Sequence, residues 1–144
     1  MVKSPFNYVG NKFKYRKHVQ DLVGGKHYSK IIDPFMGSGN LLFNTGAKAE
    51  QYIGIDSQRL LPKIFSQLKR EKTFLSSEMW GIINTWGNFT EKESYYSFRD
   101  LWNTDFKKDN YNRDFILRTI LLFKLCSNSM VRYNSKGEFN QGFR

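Results

Sequence analysis

The pattern of apolar positions changes near residue 70 and divides the sequence into two regions. In the first region, short apolar runs alternate with glycine-rich turns. Asn11 to Val23 carries Phe13, Val19 and Val23 in weakly helical order, with Gly24-Gly25 as its stop. Ser29 to Ile32 is a short strand, and Gln51 to Asp56 is a second. Between them, Ser38 to Thr45 is expected to open a helix at a glycine turn. From Ser57 the pattern is helical through Arg70. Pro62 lies too deep for a first turn, so a break or a helix start is expected near Leu60.

Beyond residue 70 the spacing becomes helical. Phe74, Met79, Trp80, Ile83 and Trp86 recur on one face. Thr90-Glu91-Lys92-Glu93 has the form of a capping box. It precedes a helix carrying Tyr95, Tyr96, Phe98, Leu101 and Trp102. Asn112 is placed to cap a third helix, Arg113 to Cys126, whose apolar residues fall on most sides, so this helix is expected to be buried. Met130 to Asn134 and Glu138 to Phe143 flank Ser135-Lys136-Gly137 and predict a β-hairpin.

Chemistry concentrates at the glycine turn. Asp33-Pro34-Phe35-Met36-Gly37-Ser38-Gly39-Asn40 follows the apolar pair Ile31 and Ile32, and Gly54-Ile55-Asp56 ends the second strand. Strand, glycine turn, helix and a second strand ending in Asp form a nucleotide-cofactor half-site. Glycines let backbone N–H groups approach a ligand, and a carboxylate after the second strand can accept from ribose hydroxyls. This is not the three-glycine dinucleotide fingerprint. A tight turn with a helix cap accounts for the same residues without a ligand.

Charge adds a partner. Lys and Arg number 23 against 13 Asp and Glu, a net charge of +10, which points to a polyanion. Aromatic residues, at 17%, provide for a core and for base stacking. The single Cys126 excludes an internal disulfide and a multi-cysteine zinc site. His18 and His27 lack metal-ligand spacing, so no metal is expected. There is no apolar run long enough for a membrane span and no secretory leader pattern, so a cytoplasmic protein is expected.

Three segments in order carry a resemblance: Pro5-Phe6-Asn7-Tyr8-Val9-Gly10-Asn11-Lys12, then Asp33 to Asn40, then Arg132-Tyr133-Asn134-Ser135-Lys136-Gly137-Glu138-Phe139-Asn140. Together they resemble the Dam-type (class alpha) DNA adenine-N6 methyltransferases. The resemblance implies an α/β fold, with part of a Rossmann-like S-adenosylmethionine-binding sheet over residues 1–70. A mainly helical DNA target-recognition subdomain ending in a β-hairpin would occupy residues 71–144. It implies S-adenosylmethionine as cofactor, held by Tyr8, Gly10, Lys12, Asp33, Phe35, Gly37, Gly39 and Asp56. Asp33 would lie near the methionine amine and Asp56 at the ribose, with Lys12 and Phe35 beside the target-base pocket. Tyr52, Phe65, Phe74 and Trp80 are each candidates to cover the adenine ring, though an aromatic in such a position is more often part of the core. Double-stranded DNA would meet Asn128, Met130, Arg132, Asn134 and Lys136, at a GATC-like site. Arg donates two hydrogen bonds to guanine, and lysines bind phosphates.

Three departures stand out. Asn11 occupies a position where the family often has Gly. Gly142 and Arg144 stand where Pro and Gly are usual, so an altered or incomplete return strand is expected. The family's catalytic Asp-Pro-Pro-Tyr is missing, because no Pro-Pro pair occurs in the sequence. The expectation is therefore the cofactor-binding and recognition part of a split methyltransferase. A second protein chain would supply the catalytic motif and the remaining strands. The alternatives are a non-catalytic DNA-binding relative, acting as decoy or regulator, or a truncated relic.

Overall fold

The computed structural model describes Val2, Ser4, Phe6 and residues 8–70 and 76–144, and it divides into two compact units, residues 1–62 and 63–144. In the first unit a 3-10 turn, Lys12–Tyr15, leads into helix α1, Arg16–Val23. Strands β1, His27–Asp33, and β2, Lys48–Gly54, pair in parallel, with His27 opposite Lys48 and Asp33 opposite Gly54. The ladder continues past both strand ends: Ile55 N donates to Asp33 O and Met36 N donates to Ile55 O, each at 2.9 Å. The chain therefore turns sharply after Asp33 while still bonded to β2.

The connection between the strands holds no α-helix, contrary to the expectation for Ser38 to Thr45. Only a 3-10 turn forms, Leu42–Asn44. A parallel crossover needs about a dozen residues or more, and residues 34–47 spend their first half on the glycine loop. Gly46, at φ 70°, then turns the chain back toward β2. Helix α1 pins this short connection, since Gln20 Nε2 donates to Asn44 O at 2.8 Å.

Helix α2, Leu60–Arg70, begins at Leu60, which leaves Pro62 in its first turn, where no amide donor is needed. In the second unit α3, Ser76–Thr85, is only partly buried, and Trp80 of its expected apolar face is 59% exposed; Phe74 lies outside the described residues. Helix α4 spans Lys92–Lys107. The predicted capping box does not form: Glu91 is the N-cap without a side-chain bond, and the Thr90 hydroxyl donates to Gly87 O at 3.1 Å. The preceding 3-10 turn, Gly87–Phe89, claims that hydroxyl first.

Helix α5, Arg113–Leu125, starts as predicted, with the Asn112 side chain accepting from Phe115 N at 2.8 Å. Every residue from Phe115 to Phe123 is buried. Thr119 Oγ1 accepts from Trp102 Nε1 at 2.8 Å, and Arg118 bridges Asp105 at 2.9 Å and Asp114 at 2.8 Å, with its Nη1 buried and unpartnered among the described residues. Trp102 stacks on Phe115 at 5.2 Å between ring centres, so α4 and α5 share an aromatic core.

The terminal hairpin has its turn at 134–138 and an antiparallel bridge between Tyr133 and Phe139. Neither arm forms a strand, and past that bridge the return segment is held by an isolated bridge to Cys126 rather than by a ladder with residues 130–134. Cys126 bridges Phe143, and Arg144 N donates to Leu125 O at 3.0 Å.

Candidate functional site

The two strands deliver both carboxylates to one end of the sheet, where open α/β sheets bind ligands. At that end lies a cavity of about 170 Å³. Its lining includes Tyr8, Gly10, Lys12, Asp33, Phe35, Met36, Gly37 and Asp56; Gly39 is buried just behind the loop. Pro5 and Asn7 of the N-terminal motif lie outside the described residues.

The three charged side chains, Lys12, Asp33 and Asp56, each have a defined partner. Asp33 Oδ1 accepts from Phe35 N at 3.1 Å, leaving its other oxygen without a partner among the described residues. Asp56 Oδ2 accepts from Gly37 N at 2.8 Å, and its Oδ1 accepts from Gln58 N at 2.9 Å. Asp56 therefore ties the glycine loop to the end of β2 and keeps one lone pair per oxygen for a further donor. Lys12 Nζ donates to Phe35 O at 2.9 Å and lies 5.7 Å from the Phe35 ring centre. The Phe35 side chain is 72% exposed at the mouth of the cavity.

Gly37, at φ 51°, adopts a backbone that side chains disfavour, and a Cβ there would stand 3.4 Å from the Tyr8 ring. The ring thus sits against the loop. Burial, and secondarily the Asp56 carboxylate, raises the Tyr8 phenol above its ordinary pKa, so the ring remains a neutral wall at physiological pH.

Sequence reasoning missed the residues that bring Tyr8 here. Asn44 holds Val2 at both backbone groups: Asn44 Oδ1 accepts from Val2 N at 2.9 Å, and Asn44 Nδ2 donates to Val2 O at 2.7 Å. Asn40 Oδ1 accepts from Ser4 N at 2.9 Å. These asparagines in the crossover lay the N-terminal segment along the glycine loop. Repeated local Asn in a short β–β connection was the available signal. Tyr52, a candidate ring cover, spends its hydroxyl locally, donating to Ala47 O at 3.0 Å and accepting from Ala49 N at 3.1 Å.

In the second unit, Asn128, Met130, Arg132 and Lys136 are exposed along the segment after α5 and the hairpin. Asn134 is differently employed. Its Oδ1 accepts from Lys136 N and Glu138 N, and its Nδ2 donates to Glu138 Oε2 at 2.9 Å, so it closes the turn. Arg132 Nε donates to Asn140 Oδ1 at 3.0 Å. Burial raises the Cys126 thiol to about 11, which leaves it protonated and poorly nucleophilic. No group of three metal-ligating side chains occurs among the described residues, and none of the described helices is long and apolar enough to cross a membrane.

Known proteins place this arrangement in a family. The Type II methyltransferase M.MjaIII of Methanocaldococcus jannaschii is 34% identical over 96% of this chain and 51% of its own length. The modification methylase StsI of Streptococcus sanguinis is 28% identical over 99% of the chain and 20% of its own length. A DNA N-6-adenine-methyltransferase of Escherichia phage P1 is 26% identical over 98% of the chain and 17% of its own length. The chain thus spans about half or less of the lengths of these relatives. Residues 8–144 match one family throughout, across both the glycine-loop unit and the hairpin unit, and the chain belongs to the D12 class N6 adenine-specific DNA methyltransferases.

Proposed function

We propose that this chain binds S-adenosylmethionine and recognises duplex DNA for adenine-N6 methylation, with the residues that grip the target amine supplied from outside residues 1–144. The observation that carries this reading is the convergence of Tyr8, Lys12, Asp33, Phe35, Gly37 and Asp56 on one cavity at the C-terminal end of parallel strands. The donor set suits the cofactor. Asp33 and Asp56 accept from an ammonium and from ribose hydroxyls, while Gly10, Gly37 and Gly39 let backbone donors come close. The cavity, about 170 Å³, is below the ~300–1,000 Å³ usual for small-molecule sites. Full enclosure of the cofactor therefore needs further walls or an opening of the loop.

S-adenosylmethionine supplies a methyl group on a positively charged sulfur. The chain's own contribution is position: Asp33 and Asp56 hold the two ends of the ligand, Tyr8 covers the loop, and Phe35 offers an apolar ring beside the base pocket. An adenine amine is a weak nucleophile, because its lone pair is delocalised into the ring. The family motif Asp-Pro-Pro-Tyr, absent from this sequence, would hold that amine with the base flipped out. In this reading that motif and further strands come from outside residues 1–144. Asn128, Met130, Arg132 and Lys136 meet the duplex, and Asn134 keeps the hairpin turn closed.

The test is calorimetry with S-adenosylmethionine, followed by transfer of labelled methyl groups to duplex DNA. Asp56→Ala is expected to weaken cofactor binding by about 1–2 kcal/mol, the scale of hydrogen bonds to a charged group. The chain alone is expected to give no turnover, and a complementing chain carrying Asp-Pro-Pro-Tyr to restore it. Turnover by the pure chain would refute the need for a partner. Absence of binding at millimolar cofactor, with the partner present, would refute the cofactor site.

A further inference from the structure

The hairpin contains an arginine whose guanidinium is half committed. Arg132 Nε donates to Asn140 Oδ1 at 3.0 Å, while Nη1 and Nη2 have no hydrogen-bond partner among the described residues. The same two residues are also joined through the backbone, since Asn140 N donates to Arg132 O at 3.0 Å. Arg132 is exposed, but Asn140 is built on a fixed base. Its neighbour Phe139 is 1% exposed and stands against Trp102 and Phe123. Both backbone groups of Phe139 are held by α4, with Asn103 Oδ1 accepting from Phe139 N at 2.8 Å and Asn103 Nδ2 donating to Phe139 O at 3.0 Å. Asn140 is thus the anchor of the pair, and the arginine is the group it orients.

We propose that Asn140 is a positioning residue that presents the Nη1/Nη2 end of Arg132 to a guanine of the DNA site. The inference rests on the DNA-recognition reading above and specifies how one base is read. A guanidinium carries donors only, in a rigid plane. With Nε committed to Asn140, the side-on mode that uses Nε and one Nη is closed, and the end-on mode remains. Two parallel donors match guanine, which presents O6 and N7 as adjacent acceptors in the major groove. Adenine presents an acceptor beside a donor and does not match. A long side chain otherwise loses much rotamer freedom on binding, and the Asn140 contact removes part of that loss in advance.

The experiment is selection of bound sequences from a randomised duplex library by the wild-type chain and by Arg132→Ala, Asn140→Ala, Asn140→Ser and Asn140→Asp. Melting curves are recorded for each variant. Wild type is expected to enrich a guanine at one position, and Arg132→Ala to erase that preference. Asn140→Ala is expected to weaken preference at the same position by about 3- to 10-fold, the worth of one hydrogen bond. The other positions and the affinity for unselected duplex should change less than about twofold, since phosphate contacts carry no sequence information. Asn140→Asp keeps the acceptor. It should retain the guanine preference while weakening all duplexes together, because it adds a negative charge. Asn140→Ser cannot reach Nε and should behave as alanine does, which covers a hairpin loosened by alanine. An unchanged guanine preference in both Asn140→Ala and Asn140→Ser, or a uniform loss of affinity with that preference intact, overturns the inference and leaves Arg132 reading standing. A guanine preference that survives Arg132→Ala, or no enrichment by wild type, overturns the recognition reading itself.

Discussion

At two places in this molecule a side-chain amide substitutes for a β-strand. Asn44 pairs with both backbone groups of Val2, and Asn103 pairs with both backbone groups of Phe139. Each lays an extended segment against a surface that has no strand to receive it. At Phe139 the pairing is buried, so its loss leaves an N–H and a C=O without water. Asn103→Leu is expected to cost roughly 2–4 kcal/mol, measured by chemical denaturation, because each unsatisfied group costs about 1–3 kcal/mol. Asn103→Asp keeps the acceptor but sets a buried carboxylate oxygen against Phe139 O, so at neutral pH it should cost at least as much as Asn103→Leu.

At the scale of elements, the hairpin is held at its base by packing and at its turn by charge. Glu138 Oε1 accepts from Lys107 Nζ of α4 at 2.6 Å, and its other oxygen accepts from Asn134. The hydrogen bond from Lys107, then that from Asn134, lowers the Glu138 pKa below 4.5, its ordinary value. A carboxylate whose folded pKa is lowered adds stability that is full above its unfolded value and is lost as pH falls through the folded one. The turn is therefore expected to be firm at neutral pH and to loosen only below about pH 4.5. An NMR titration of the hairpin amides should show a midpoint below that value. Lys107→Met should move the midpoint upward. A midpoint unmoved by Lys107→Met would assign the shift elsewhere. The buried helix α5 was legible from its unbroken apolar run and the Asn112 cap. The capping box before α4 was not, because the Thr90 hydroxyl served the preceding turn instead.

For the whole molecule, the parallel sheet is the least supported feature. Two strands alone rarely suffice for independent stability, and parallel sheets are ordinarily covered on both faces. Here Ile32 is 55% exposed and Ile55 51%. The second unit, by contrast, closes around α4, α5 and the hairpin with Trp102, Tyr95, Phe98, Phe123 and Phe139 almost wholly buried. Amide hydrogen exchange should therefore be much faster in β1 and β2 than in α5, since local stability follows local burial. A complementing chain that completes the sheet should slow exchange in β1 and β2 and leave α5 unchanged. Equal protection of the two units in the isolated chain would show the sheet to be sufficient as it stands.

The glycine loop, the acidic strand end, the buried helix and the hairpin turn were all readable from order and spacing, because their causes are local. A glycine at positive φ, an Asp at a strand end, an apolar run and a Ser-Lys-Gly turn each state their geometry within a few residues. What the sequence left undecided depended on which of several available partners a polar group would meet. Whether Ser38 to Thr45 became a helix was settled by the short crossover and by the pull of Gln20 on Asn44. Whether Thr90 capped α4 was settled by Gly87. That Asn134 closes the turn while Asn140 holds Arg132 could not be told from two asparagines in one polar stretch. A hydrogen bond is directional and short in range, so the tertiary structure alone decides which of several similar polar side chains will make it.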